Sequence, residues 1–136
     1  MIRVFVYGTL KPGEINYQRF CEGKVHRAIA AIAQGNLYAL PAGYPAVTPG
    51  TGDVYGYVLE FDNPTLLNKL DELEDYEPQR PAEANDYNRI EIDVVDENRQ
   101  PIGRVWFYQM TAERAQAMGG IQIEDGLWRS HQTPLS

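Results

Sequence analysis

Ile2-Arg3-Val4-Phe5-Val6-Tyr7-Gly8-Thr9-Leu10-Lys11-Pro12-Gly13 reads as a short strand that ends in a glycine turn. Residues 2–7 are mostly apolar and rich in β-branched side chains, the pattern of a buried strand. Gly8 lets the chain turn sharply with no Cβ in the way, and Pro12-Gly13 punctuates the far end of the turn. A strand that stops at a glycine can leave several backbone N–H groups unpaired and pointing one way. Such a concavity attracts anions, carboxylates included. A plain strand-to-loop turn fits the same residues.

The surrounding 136 residues are 43% hydrophobic, which suits one globular domain, 1–136, with a real core. A net charge of −7 argues against nucleic acid or an anionic membrane as the main partner. No apolar run is long enough for a membrane span, and the N-terminal residues lack the pattern of a signal peptide. With a single cysteine, Cys21, an internal disulfide is impossible, and the expected location is a reducing cytoplasm. Cys21 itself reads as a small buried apolar residue.

Outward from the first turn, Glu14–Phe20 suggests a short helix and His26–Leu40 a strand. Residues 41–53 hold three prolines and three glycines and read as a loop. Val54–Phe61 carries a strong β signal, in which Gly56 suggests a bulge or a close approach by another group. Asn63 then offers an N-cap and Pro64 a first helical residue. Leu66, Leu67, Leu70 and Leu73 repeat at helical spacing, and Pro78 predicts a stop near Tyr76. After a polar loop over 77–86, strands are expected at Tyr87–Val95 and Ile102–Met110, joined by a hairpin at Asp96–Arg99. Thr111 is placed to cap a helix through Met118. From 119 onward only Trp128 stands out. The fold class is α+β, with a curled, barrel-like sheet and a few flanking helices.

The helix after Pro64 ends in an acidic cluster: Asp71, Glu72, Glu74, Asp75 and Glu77. At about 100° per residue, Glu72 and Asp75 point away from the leucine stripe. Glu74 lies seven residues after Leu67 and four after Leu70, so it extends the stripe to within roughly 50° of its centre. Burial there costs free energy and would raise its pKa towards neutrality, as a general acid/base requires. A frayed helix end reaching water is the alternative. Asp71, at the stripe's edge, reads as structural. His26 and His131 have no metal-ligand spacing, and Ser130 and Ser136 lack a nucleophile elbow. No phosphate-binding or dinucleotide fingerprint is present.

Four stretches together resemble the γ-glutamylcyclotransferase-like family, which includes γ-glutamylamine cyclotransferases. They are Tyr7-Gly8-Thr9-Leu10 with Gly13 and Asn16, then Leu37–Pro41 with Gly43-Tyr44-Pro45-Ala46, then Leu70-Asp71-Glu72-Leu73-Glu74, and finally Tyr87-Asn88-Arg89. The resemblance implies a mixed, barrel-like sheet with a cavity at one end and the catalytic glutamate at Glu74. It further implies cyclisation of a small-molecule γ-glutamyl amide to 5-oxoproline and a free amine, without metal or organic cofactor. The backbone of Gly8, Thr9 and Leu10 would anchor the substrate's α-carboxylate. Tyr7, Tyr87 and Tyr108 would line the pocket or stabilise the oxyanion. A non-catalytic module that binds a γ-glutamyl or other carboxylate ligand is the competing reading. The leaving amine and the oligomeric state are not legible from the residues.

Overall fold

The computed structural model describes residues 1–129. Five strands close into a barrel: β1 (Ile2–Val6), β2 (Arg27–Ala39), β3 (Pro45–Phe61), β4 (Asn88–Asp96) and β5 (Pro101–Gln109). Around it the order is β3-β1-β5-β4-β2, and β2 pairs back onto β3. The β1–β5 pair is parallel and the others are antiparallel, so the sheet is mixed. Helix α1 (Pro64–Leu73) follows β3. Helix α2 (Ala112–Ala117) follows β5, and β6 (Ile121–Gln122) adds to the far end of β2 beyond its pairing with β4.

The two faces of the strands explain the composition of β1. Phe5 points into the barrel with Ala31, Ala33, Val54, Val58, Val94, Val105 and Phe107. Val4 and Val6 point outward onto Leu66 and Leu70 of α1, with Leu59 and Phe61. Both faces of β1 are therefore buried, and its apolar residues run without alternation. On β4 one face meets water, so Glu91 and Asp93 are exposed between the more buried Ile90, Ile92 and Val94.

One expectation needs correction. Residues 45–53 are not loop but the first half of β3. Their prolines are compatible with pairing because of where they fall. Pro45 is the strand's first residue, and Pro49 lies opposite the register break between Gln34 and Asn36, where no ladder donor is needed. The short helix expected at Glu14–Phe20 is present as one π-helical turn, Tyr17–Cys21, closed by the Glu22 N–H donating to the Tyr17 carbonyl at 2.9 Å. Cys21 is buried as expected, and burial pushes its thiol up to about 11.

Gly56 marks a close approach of backbone to backbone: a Cβ there would land on the Val6 carbonyl oxygen and against the Phe5 ring. Gly56→Ala should therefore lower the unfolding free energy by about 2–3 kcal/mol, read as a lower midpoint in urea. An unchanged midpoint would show that the β1–β3 contact yields without cost.

Candidate active site

At one end of the barrel, β1 runs into Tyr7–Leu10 and the chain crosses beneath Pro45. A Cβ on Gly8 would sit 2.6 Å from Pro45 Cγ, so only glycine lets the turn pack there. The loop is tied down through its carbonyls. Lys11 N–H donates to the Gly8 carbonyl at 3.0 Å, and the Asn16 and Tyr17 N–H groups donate to the Thr9 carbonyl at 3.0 and 3.2 Å. The Asn16 side-chain amide donates to the Thr9 hydroxyl at 2.8 Å. Further along, the buried Lys11 ammonium donates to the Trp128 carbonyl at 2.5 Å. The N–H groups of Gly8, Thr9 and Leu10 have no protein acceptor among the described residues. These three residues line a cavity of about 270 Å³, together with Tyr7, Glu74, Tyr87 and Tyr108. The structure thus brings together all seven residues singled out from the sequence.

Glu74 reaches the cavity because α1 stops earlier than Pro78 requires. Asp75 takes a left-handed conformation (φ 53°). Its N–H donates to the Glu72 carbonyl at 3.1 Å, and the Tyr76 N–H donates to the Asp71 carbonyl at 2.9 Å, the bonding of a Schellman cap. The helix therefore ends at Leu73, with Glu74 as its C-cap. The neighbours in the acidic cluster go elsewhere. Glu72, Asp75 and Glu77 are exposed, while Asp71 is pinned at 3.0 Å by Arg89, whose guanidinium lies 4.5 Å from the Trp106 ring centroid. Asp71 is structural, as its place on the stripe suggests.

The Glu74 carboxylate has no hydrogen-bond partner among the described residues, and it is only partly exposed, through the cavity. Loss of hydration, and secondarily the charge of Asp86, push its pKa up from the ordinary 4.5 to about 7. The side chain can exchange a proton near neutrality.

The three tyrosines line the cavity, but their protons are committed. Tyr7 donates to the Tyr108 carbonyl at 2.6 Å, Tyr87 to the Pro45 carbonyl at 2.5 Å, and Tyr108 to Asp71 Oδ1 at 2.7 Å. Burial raises the pKa of all three, so each hydroxyl keeps its proton and offers its oxygen as an acceptor.

Sequence reasoning missed Asp86 and Tyr44, which line the same cavity. Asp86 belongs to the polar loop 77–86, which carries no periodicity. The quoted stretch Gly43-Tyr44-Pro45-Ala46 contained Tyr44 without assigning it a part. His26 is at the surface, 2.8 Å from Asp62. His131, Ser130 and Ser136 lie outside the described residues. Among the described residues no three His, Cys, Asp or Glu side chains gather as a metal site, and no helix is long and apolar enough to cross a membrane.

Comparison with known proteins converges on one family. The family model described as gamma-glutamyl cyclotransferase, AIG2-like, matches residues 4–130. Over 109 residues the chain is 34% identical to the gamma-L-glutamyl-butirosin B gamma-glutamyl cyclotransferase of Niallia circulans, covering 79% of this chain and 67% of that protein. An AIG2-like protein from Mus musculus shares the fold, with a TM-score of 0.69 and 23% identity over 98% of this chain and 91% of its own. Protein ytfP from Escherichia coli superposes with a TM-score of 0.64 at 28% identity, over 93% of this chain and 96% of its own. A barrel of this topology, with an acidic side chain and a glycine turn facing one cavity, and a family match over nearly its whole described length, place the chain in the AIG2-like gamma-glutamyl cyclotransferase family of enzymes.

Proposed function

We propose that the protein cleaves a small-molecule γ-glutamyl amide by intramolecular cyclisation, giving 5-oxoproline and a free amine, with Glu74 as general acid/base. The observation that carries this reading is a carboxyl group poised near neutrality in the same cavity as three unpaired backbone N–H groups. The glutamyl head has an α-carboxylate for the N–H groups of Gly8, Thr9 and Leu10 and an α-ammonium for Glu74. Glu74 takes one proton from the ammonium. The freed amine lone pair attacks the γ-carbonyl carbon, the bond to the leaving nitrogen breaks, and Glu74 returns the proton to that nitrogen. The ring nitrogen sheds its second proton as it becomes an amide, and the freed amine takes that proton and leaves as an ammonium, so protons and electrons balance without a co-reactant. Confinement in the cavity holds nitrogen and carbonyl in near-attack geometry, worth several kcal/mol of barrier. The Tyr7, Tyr87 and Tyr108 hydroxyl oxygens, whose protons are engaged, can accept from the ammonium but do not supply an oxyanion hole.

The test is 5-oxoproline release from γ-glutamyl amino acids, γ-glutamyl-ε-lysine and glutathione, run with wild type and Glu74→Gln side by side. Release by wild type alone supports the reading. Binding of a γ-glutamyl amide without turnover would favour the carboxylate-binding module instead.

The pH profile gives a second check. The base form of Glu74 must be present in the free enzyme, so kcat/KM should rise with pH through about 7 and level off above it. A profile that is flat from pH 5 to 9 would remove Glu74 as the base.

A further inference from the structure

We propose that Asn85 is a positioning residue for the acid/base: it fastens the chain after α1 to the start of β4 and so fixes Glu74 relative to Asp86 in the cavity. This rests on the cyclotransferase reading and gives loop 77–86 a part in it.

Asn85 is 2% exposed, deep for an amide in a polar loop. A buried amide is costly unless its polar atoms find partners, and both atoms of this one do. Its Oδ1 accepts the Glu77 N–H at 3.1 Å, and its Nδ2 donates to the Glu77 carbonyl at 3.2 Å. The same nitrogen donates to Asn88 Oδ1 at 3.0 Å, and Asn88 Nδ2 donates to the Ala82 carbonyl at 3.1 Å. The amide thus grips both backbone groups of Glu77, three residues after Glu74, together with the first residue of β4. Asp86 is its neighbour in the chain. On the α1 side, Arg80 Nη2 donates to the Asp75 carbonyl at 2.8 Å and to Asp75 Oδ1 at 3.2 Å, holding the left-handed residue that follows Glu74. On the β4 side, Arg114 Nη1 lies 3.0 Å from Asp86 Oδ1. Each carboxylate is therefore carried on a segment that Asn85 ties to the other.

The tie sets the field at Glu74. The titratable groups that line the cavity with it are Tyr7 from the end of β1, Tyr44 from the turn before β3, Asp86 and Tyr87 from the loop before β4, and Tyr108 from β5. Among them Asp86 is the one other carboxylate. Its charge adds to the loss of hydration in pushing Glu74 up. Cutting the tie lets Asp86 move off and water enter, and both changes favour the ionised form of Glu74.

Asn85→Ala tests this. The pH midpoint of kcat/KM should fall from about 7 towards 4.5, and kcat should fall about 10–100-fold through misplacement of the base. Loss of folded protein alone would lower the rate and leave the midpoint in place. Carbon-13 NMR of the glutamate side-chain carboxyls reads the same midpoint without turnover, the Glu74 signal being the one absent from Glu74→Gln. Asn88→Ala removes one bond and keeps the grip on Glu77, so it should move the midpoint the same way by less. A midpoint that stays near 7 in Asn85→Ala would overturn the proposal. Should that variant not fold, an unmoved midpoint in Asn88→Ala would overturn it instead. A midpoint that falls in a protein releasing no 5-oxoproline upholds the positioning and counts against the cyclotransferase reading alone. Release by wild type with a midpoint that survives Asn85→Ala does the reverse.

Discussion

Glu74→Gln is expected to lower kcat by roughly 10²–10⁴-fold, the usual contribution of a positioned general acid/base, while the barrel folds as before. The amide matches the carboxylate in shape and cannot take a proton. Stability should move the other way. The folded-state pKa of Glu74 is raised from 4.5 to about 7, so the folded protein binds more protons than the unfolded chain between those values. Stability from this site is therefore lost as pH rises through that window. Glutamine has no charge to bury, so Tm of the variant should exceed wild type at pH 8, and the gap should close below about pH 4. Thermal melts at both pH values, beside steady-state rates, measure the two effects on one preparation. Near-normal turnover would take Glu74 out of the mechanism. A variant less stable at pH 8 would mean that the ionised carboxylate has a partner in the fold.

Gly8→Val should raise KM by about tenfold or more and lower kcat less. A branched side chain at residue 8 must displace Pro45, since even a Cβ would come within 2.6 Å of its Cγ. Pro45 cannot retreat easily: it opens β3, pairs with Ala39, and accepts the Tyr87 hydroxyl through its carbonyl. The turn itself must shift, and with it the N–H groups of Gly8, Thr9 and Leu10. Losing one charge-assisted bond to a carboxylate costs about 1.5–3 kcal/mol, which is at least a tenfold change in KM. Overpacking should also cost about 1–3 kcal/mol of stability, so kinetics must be run well below the variant's Tm. A destabilised variant with unchanged KM would separate the turn's packing from substrate anchoring and remove the loop as the anchor.

Much of this was legible in the residues because it is local. Asn63-Pro64 and the leucine spacing mark the start and buried face of α1, and the Asn63 side chain does accept the Thr65 N–H. The all-apolar Val4-Phe5-Val6 announces a strand buried on both faces. The glycine turn after Tyr7 and the misplaced charge of Glu74 are likewise visible from spacing alone. What spacing could not show depends on partners distant in the chain. The strand character of 45–53 comes from pairing with β2 across a register break that accommodates Pro49. The end of α1 at Leu73 comes from a left-handed Asp75, a conformation with no sequence mark as plain as a glycine or proline. Asp86 and Tyr44 enter the site only because the loops before β3 and β4 meet over it. The donors of Tyr7, Tyr87 and Tyr108 are spent on carbonyl and carboxylate oxygens 101, 42 and 37 residues away. The sequence by itself determined most of the elements, the glycine turn and the place of Glu74 on the buried stripe, because periodicity and steric freedom act within a few residues. Tertiary structure alone decided which groups share the cavity, which protons are free and where Glu74 titrates, because burial and hydrogen bonding are set by the packing of distant segments.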